Sequence, residues 1–258
     1  MYPPRMQLRF GAATDPGRVR PRNEDRFVAD GDLGFFAVVD GMGGHAGGEL
    51  ASATIAEAVT TFIRDTAGDS EKTWPAGMDA RLSVLANRLQ VAIRAANRTL
   101  ATRAQADSAL EGSGATLAAA LYGDSRMAVS NVGDCRVYLL RGGRLQQITK
   151  DHSVVAEQVA QGLIDSEAAR THPLRHVVTR AVSGQPGMAV DVLELDIKPG
   201  DRLVICSDGI HGVLTDPEIT SLVTPNGRSL DEVCKSVIAE ANERGGPDNA
   251  TTVLVEAI

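Results

Sequence analysis

Aromatic residues are scarce: Phe, Tyr and Trp together make up 3% of the 258 residues, so Ala and Val must supply much of the core. Cysteine is also sparse, with only Cys135, Cys206 and Cys234, an odd number in scattered positions. That excludes a disulfide framework and predicts reduced core thiols in a cytoplasmic protein. A surplus of positive charge is missing too. The formal net charge of −7 argues against non-specific binding to nucleic acid or to an anionic membrane. No apolar run approaches the roughly 20 residues needed to span a bilayer. The first residues, Met1-Tyr-Pro-Pro-Arg-Met6, lack the apolar centre of a signal peptide. There is no internal repeat, low-complexity tract or interdomain linker, which predicts one domain over residues 1–258.

What is present is organised around Phe35-Phe36-Ala37-Val38-Val39-Asp40-Gly41-Met42-Gly43-Gly44. Five apolar residues in a row read as a buried strand that ends on a carboxylate. The glycines beyond it let a ligand or ion approach the main chain. Ile55, Val59, Phe62 and Ile63 then recur at helical spacing. A hard cation held by Asp40 and a neighbouring carbonyl suits this arrangement. A plain Gly-rich turn with a solvated aspartate suits it equally. Gly41, Gly43 and Ala46 also fit the dinucleotide fingerprint, although Asp40 would then face a pyrophosphate.

Elsewhere the chain alternates in kind. Leu8–Ala13 reads as an edge strand, and residues 15–25 form a polar run rich in both signs of charge. A polar loop over 66–77 leads to an amphipathic helix over Met78–Ala104, with Leu82, Leu85, Leu89, Ile93, Ala96 and Leu100 on one face. Ala115–Tyr122, Arg126–Val132, Arg136–Leu140 and Leu145–Ile148 predict an antiparallel meander with no helices between strands, which weakens the dinucleotide reading. A polar stretch from about Asp151 to Arg175 reads as an excursion with short helical pieces. Strands over Val190–Leu195, Leu203–Cys206 and Thr251–Val255, with a helix over Leu230–Glu243, complete an α+β pattern.

Three further strand ends pair aspartate with glycine: Gly133-Asp134, Ser207-Asp208-Gly209, and Gly246-Pro-Asp248 before the last strand. Each alone is an ordinary turn. Together with Asp40, Glu24 and Asp25 they gather carboxylates whose repulsion calls for bound cations. Oxygen ligands, with no His or Cys pair at ligand spacing, favour Mg²⁺ or Mn²⁺ over zinc.

At this point the chain resembles the metal-dependent Ser/Thr protein phosphatases of the type 2C (PPM) family, in the compact bacterial form. The motifs run in order: Thr14-Asp-x-Gly-x-x-Arg20-x-x-Asn-Glu-Asp25, Asp40-Gly-Met-Gly-Gly44, Gly112-Ser-Gly-Ala-Thr116, Gly133-Asp-Cys-Arg136, Thr149-Lys-Asp-His-Ser153, Ser207-Asp-Gly209 and Gly246-Pro-Asp-Asn-Ala-Thr251. They cover nearly the whole chain, from about Leu8 to Val255.

The resemblance implies a four-layer α-β-β-α sandwich of two antiparallel sheets, with two metal ions at one edge and a third beside them. Asp40 matches the aspartate bridging both core ions, and Gly41 the residue lending a carbonyl. Asp208 and Asp248 match ligands of the second ion, and Glu24 and Asp25 match acidic residues that hold metal-bound waters. Arg20 resembles the arginine that grips the substrate phosphate. Asp134, with Asp208, matches the third site, and residues 151–175 the mobile flap. The implied reaction is direct attack of a metal-bridging water on phosphoserine or phosphothreonine, without a covalent enzyme intermediate. Phosphorylated proteins are the implied substrates, with a counterpart Ser/Thr kinase among the partners.

Two departures stand out. Met42 replaces a histidine common in eukaryotic relatives, and Cys135 replaces the serine usual in the Gly-Asp-Ser-Arg motif.

Rival readings make their own demands. Cys135-Arg-Val-Tyr-Leu-Leu-Arg141 fits the C-x5-R pattern of cysteine phosphatases, but its middle reads as a strand, which would hold the ends roughly 20 Å apart. A catalytically inactive phosphatase fold acting as a binding module would be expected to lose carboxylates, and none is missing. His45, His152, His172 and His176 lack metal-ligand spacing. His152 and His176 could reach the flap or the site, with a structural role favoured.

Overall fold

A computed structural model describes residues 6–44, 46–68, 78–123, 125–225 and 227–258. His45 and most of the expected 66–77 loop lie outside the described residues. Ten strands form two five-stranded antiparallel sheets. The first has the order β1 (Leu8–Asp15), β10 (Ala250–Ala257), β9 (Arg202–Cys206), β6 (Arg136–Arg141), β7 (Arg144–Gln147). The second has the order β2 (Asp25–Asp30), β3 (Phe35–Met42), β4 (Gly114–Gly123), β5 (Arg126–Val132), β8 (Asp191–Asp196).

Strand β3 shows why its sequence is apolar without interruption. Phe35, Ala37 and Val39 face the helices α1 (Gly47–Asp65) and α2 (Val84–Ala106). Phe36 and Val38 point the other way, into the layer between the sheets, where they join Val129, Val137, Ile205 and Val253. A strand covered on both faces has no position left for a polar side chain. Ile55, Val59 and Ile63 of α1 meet Leu89, Ile93 and Leu100 of α2 on the outside of the second sheet. On the first sheet Val233, Val237 and Ala241 of α7 (Leu230–Glu243) and Ile219 of α6 (Asp216–Val223) cover Val204 and Leu254. Three apolar layers therefore separate four structural ones, the α-β-β-α sandwich.

Four expectations change in detail. The meander does not stay in one sheet: β4–β5 belongs to the second and β6–β7 to the first. The chain crosses between them at Gly133, whose φ of +102° is a glycine conformation and whose missing Cβ leaves room for Thr116. Helix α2 starts at Val84, because Ser83 caps it by accepting from the Ala86 N–H at 3.1 Å. Strand β2 and helix α6 were not apparent in the pattern. Asp25-Arg-Phe-Val-Ala-Asp30 reads as polar until it pairs with β3, and α6 rests on a Thr215/Glu218 capping box. The excursion holds α3 (Val154–Ala160) and α4 (Ser166–Thr171). It closes slightly later than expected: the Val154 N–H donates to Val177 O and the Thr179 N–H to His152 O, each at 2.9 Å.

Candidate active site

The β2–β3 register sets Asp25 directly across from Asp40, so one ladder step brings two carboxylates to the same end of the second sheet. Asp134 sits in the turn that leaves β5, Asp208 opens the short helix α5 (Asp208–His211) after β9, and Asp248 precedes β10. Burial pushes the Asp40 carboxyl well above the usual range, and the charges of Asp25, Asp208, Asp134 and Asp248 push it further. The same causes, burial foremost, raise Asp25 to about 6 and Asp134 to about 7. Asp208 is held below the usual range against its burial, chiefly by the His176 imidazole that faces it 3.8 Å away.

The loop over residues 16–24 is fastened to this edge by Asn249. Its Nδ2 donates to Pro16 O at 2.9 Å and Arg22 O at 2.8 Å, while its Oδ1 accepts from the Glu24 N–H at 2.8 Å. Ser207 Oγ donates to Asp25 Oδ2 at 2.8 Å and accepts from the Thr251 N–H at 3.0 Å. Asp25 Oδ1 is buried with no hydrogen-bond partner among the described residues. Arg20 reaches back from the loop, with one Nη donating to Asp248 Oδ2 at 2.7 Å. Expected at the phosphate, its guanidinium thus lies against one of the carboxylates.

Two histidines hold the Asp134 turn. His211 Nε2 lies 3.0 Å from Asp134 O, and burial with the nearby Arg136 lowers its pKa to about 4, so the ring is neutral and donates. His152 Nδ1 accepts the Gly133 N–H at 3.0 Å, which leaves its proton on Nε2, 3.0 Å from Asp191 Oδ2. His176 lies 3.8 Å from Asp208, whereas His172 only accepts a turn bond from the Leu174 N–H. His211, Ser207 and Asn249 escaped the sequence reading. Ser207 and Asn249 are next to the singled-out aspartates, which was the one available signal.

An orphaned buried carboxylate oxygen, a cluster of protonation-prone aspartates and an all-oxygen donor set fit hard divalent cations. Gly41 adds a second fit, because a Cβ there would strike the carbonyls of Gly48 and Glu24, so only glycine keeps this backbone close-set. Among the described residues no three His, Cys, Asp or Glu side chains converge tightly enough to hold an ion unaided. Some of their oxygens are instead bonded locally, Asp248 Oδ2 by Arg20 and Asp25 Oδ2 by Ser207, and Asp208 faces His176 at 3.8 Å.

The competing chemistries fail on geometry. Cys135 is buried, its thiol is pushed well above its ordinary pKa, and β6 separates it from Arg141. Gly41, the first glycine of the fingerprint, lies within β3 of an antiparallel sheet and not at the turn of a βαβ unit.

A model of the protein phosphatase 2C family matches residues 20–256. The chain belongs to the protein phosphatase 2C family. Bacterial proteins are among the relatives of this phosphatase 2C chain. The serine/threonine protein phosphatase PstP of Mycobacterium tuberculosis is 35% identical over 254 residues, which are 97% of this chain and 45% of that protein. This chain thus spans about half the length of that relative. The serine/threonine phosphatase stp of Listeria welshimeri is 33% identical over 250 residues, covering 94% of this chain and 93% of its own length. The crystal structure of the M. tuberculosis phosphatase PstP/Ppp superposes with a TM-score of 0.85 at 36% identity, over 96% of this chain and 98% of that one. The PstP catalytic domain in complex with two manganese ions superposes at 0.84 and 33% identity, over 98% of this chain and 99% of that one.

Proposed function

We propose that this chain is a metal-dependent protein serine/threonine phosphatase acting on phosphoserine and phosphothreonine. The observation that carries the proposal is the pairing of buried Asp25 with half-buried Asp40 across one register step, ringed by Asp134, Asp208 and Asp248 at a single sheet edge. In a phosphatase 2C chain, such an edge has one evident use. Two ions of the Mn²⁺ or Mg²⁺ class, with a third beside them, supply Lewis acidity and an activated water when bound.

The chain's own residues divide the rest of the work. Asp40 and the Gly41 carbonyl would hold the ions from β3, and Asp208 and Asp248 would hold them from the edge of the opposite sheet. Glu24 and Asp25 retain water around them, and Asp134 with Asp208 serves the third position. Arg20, half-exposed at the rim, turns its forked donors from Asp248 to the substrate phosphoryl oxygens and neutralises their charge. Met42 and Cys135 take no part: neither the thioether nor the buried thiol can deliver a proton at neutral pH.

Phosphoproteins are the substrates, and a counterpart Ser/Thr kinase is the partner such an enzyme opposes. Three free, buried cysteines suit a reducing cytoplasm. Residues 1–258 act as one phosphatase domain, with the excursion from Asp151 as its flap. A non-catalytic binding role would ask for a missing carboxylate, and each is in place. Release of phosphate from p-nitrophenyl phosphate and a phosphothreonine peptide, with Mn²⁺ or EDTA, tests the proposal. Turnover is expected with Mn²⁺ and absent in EDTA. Equal turnover in EDTA, lost on thiol alkylation, would refute it in favour of cysteine chemistry.

A further inference from the structure

Between the excursion and the sheet edge lies a cavity of about 650 Å³, whose lining includes Asp134 and Asp208. Pockets that enclose a ligand usually span roughly 300–1,000 Å³, so this one could seat a short piece of peptide. One wall is aliphatic, from Val155, Ala156 and Val159 of α3. The rest carries charge of both signs, five Lys or Arg against five Asp or Glu, but not all of it is paired within the lining.

Two of the carboxylates contributed by the excursion and its surroundings are ion-paired, Asp151 with Arg136 at 2.7 Å and Asp191 with Arg180 at 3.2 Å, while Glu157 accepts only a hydroxyl bond, from Thr179 Oγ1 at 2.7 Å. Three lining cations have no such counterpart among the described residues. Arg170 donates only to a carbonyl, His211 O at 3.4 Å, and Arg175 and Lys150 have no carboxylate partner. Asp134 and Asp208, the remaining lining carboxylates, belong to the ion-holding edge. The cavity therefore offers an unmatched set of guanidinium and ammonium donors beside an aliphatic wall, leading to the atoms where a phosphoryl group would react.

We propose that this cavity is the subsite for a substrate residue flanking the phosphorylated one, and that Arg170, Arg175 and Lys150 select an anionic side chain there. A carboxylate or a second phosphate supplies that charge, and the stem of Glu or the methyl of phosphothreonine meets the aliphatic wall. Arg170 and Arg175 present forked donors that match either anion, which favours them over Lys150 as the discriminating pair. This inference rests on the phosphatase reading and narrows it to a substrate class.

The test is a set of phosphothreonine peptides identical except at one flanking position, scanned over three residues on each side. That position carries Glu, phosphothreonine, Ala or Lys. Phosphate release is followed with Mn²⁺ for the wild-type chain, for Arg170→Gln/Arg175→Gln, and for Arg170→Glu/Arg175→Glu. At one or more positions the wild type is expected to favour Glu and phosphothreonine over Lys by about tenfold in kcat/KM, mainly through KM. The Gln pair should flatten that ratio and the Glu pair should invert it. Glu-to-Lys and phosphothreonine-to-Lys ratios both within about twofold at every position in the wild type overturn the proposal, as does an unchanged preference in either variant. Preference for phosphothreonine without Glu assigns the anion as phosphate; equal preference assigns it as any carboxylate-sized charge. Should the wild type hydrolyse no peptide and no p-nitrophenyl phosphate, it is the phosphatase reading that falls, and the subsite with it.

Discussion

Arg20 and Asp248 stand 228 positions apart in the chain, and their side chains meet at 2.7 Å. The contact joins the residue expected at the phosphate to one expected at an ion. One guanidinium cannot serve Asp248 and a substrate phosphoryl group with the same donors. On the proposed reading, a metal ion taking the place of Arg20 at Asp248 would free the arginine for substrate.

Arg20→Ala is expected to leave Mn²⁺ affinity intact or slightly increased, because Asp248 loses a competing cation. Its kcat/KM on phosphopeptides should fall by the value of a charge-assisted hydrogen bond, about 1.5–3 kcal/mol. Calorimetric Mn²⁺ titration beside steady-state kinetics checks both halves. Wild-type kinetics on phosphopeptides would remove Arg20 from the substrate site.

Asp40→Asn should all but abolish turnover, since Asp40 is the carboxylate influenced by all four neighbouring aspartates. The amide removes a buried charge, so the metal-free protein should melt no lower than the wild type while its Mn²⁺ affinity collapses. A variant that binds Mn²⁺ normally would place the ions elsewhere.

Asp134→Ala and Asp208→Ala should separate the third ion from the core pair. Asp134→Ala is expected to keep the fold and at least one tightly held Mn²⁺, yet lose most phosphopeptide turnover. Asp208→Ala should disturb both ion content and activity. Wild-type turnover by Asp134→Ala would exclude a third ion from the reaction.

The metal-free protein should lose stability as pH rises. Burial first, with neighbouring carboxylates, sets Asp134 near 7 and Asp25 near 6 in the folded chain. An unfolded aspartate titrates near 4. Between these values the folded state holds more protons than the unfolded one, so its advantage is present at low pH and fades as pH climbs through the folded pKa. His211, with a pKa of about 4, opposes this only at more acidic pH, where an unfolded histidine is protonated. Melting in EDTA should therefore fall between about pH 6.5 and 8, and Asp134→Asn should flatten the slope. A melting temperature that rises over this window would show that Asp134 is ionised throughout.

His152→Ala should leave the Gly133 N–H buried without an acceptor, at a cost of about 1–3 kcal/mol. His152→Asn, whose Oδ1 lies near the place of Nδ1, should recover most of the melting temperature, and His152→Gln should not. Equal melting for the Asn and Ala variants would make the histidine a matter of packing alone.

The local sequence was enough for the elements that carry a period or a turn signal. The apolar run Phe35–Val39, the helical spacing through Ile55 and Ile63, and the Asp-Gly pairs at strand ends depend only on near neighbours, so they could be read directly. Motif order then identified the family and nominated Arg20, Asp40, Asp134, Asp208 and Asp248. Strand β2 was hidden because Asp25-Arg-Phe-Val-Ala-Asp30 has no period-2 alternation and acquires its place only by pairing with β3. Tertiary structure alone decided that β6–β7 would leave the sheet of β4–β5, since a hairpin pattern does not say which sheet it joins. It alone decided that Asp25 would face Asp40, that His211 would hold the Asp134 carbonyl from 77 positions away, and that Arg20 would meet Asp248. Such contacts come from register and burial, which bring distant residues together in a low-dielectric setting that raises carboxylate pKa values. No local pattern of residues encodes that setting, because it is made by the rest of the fold.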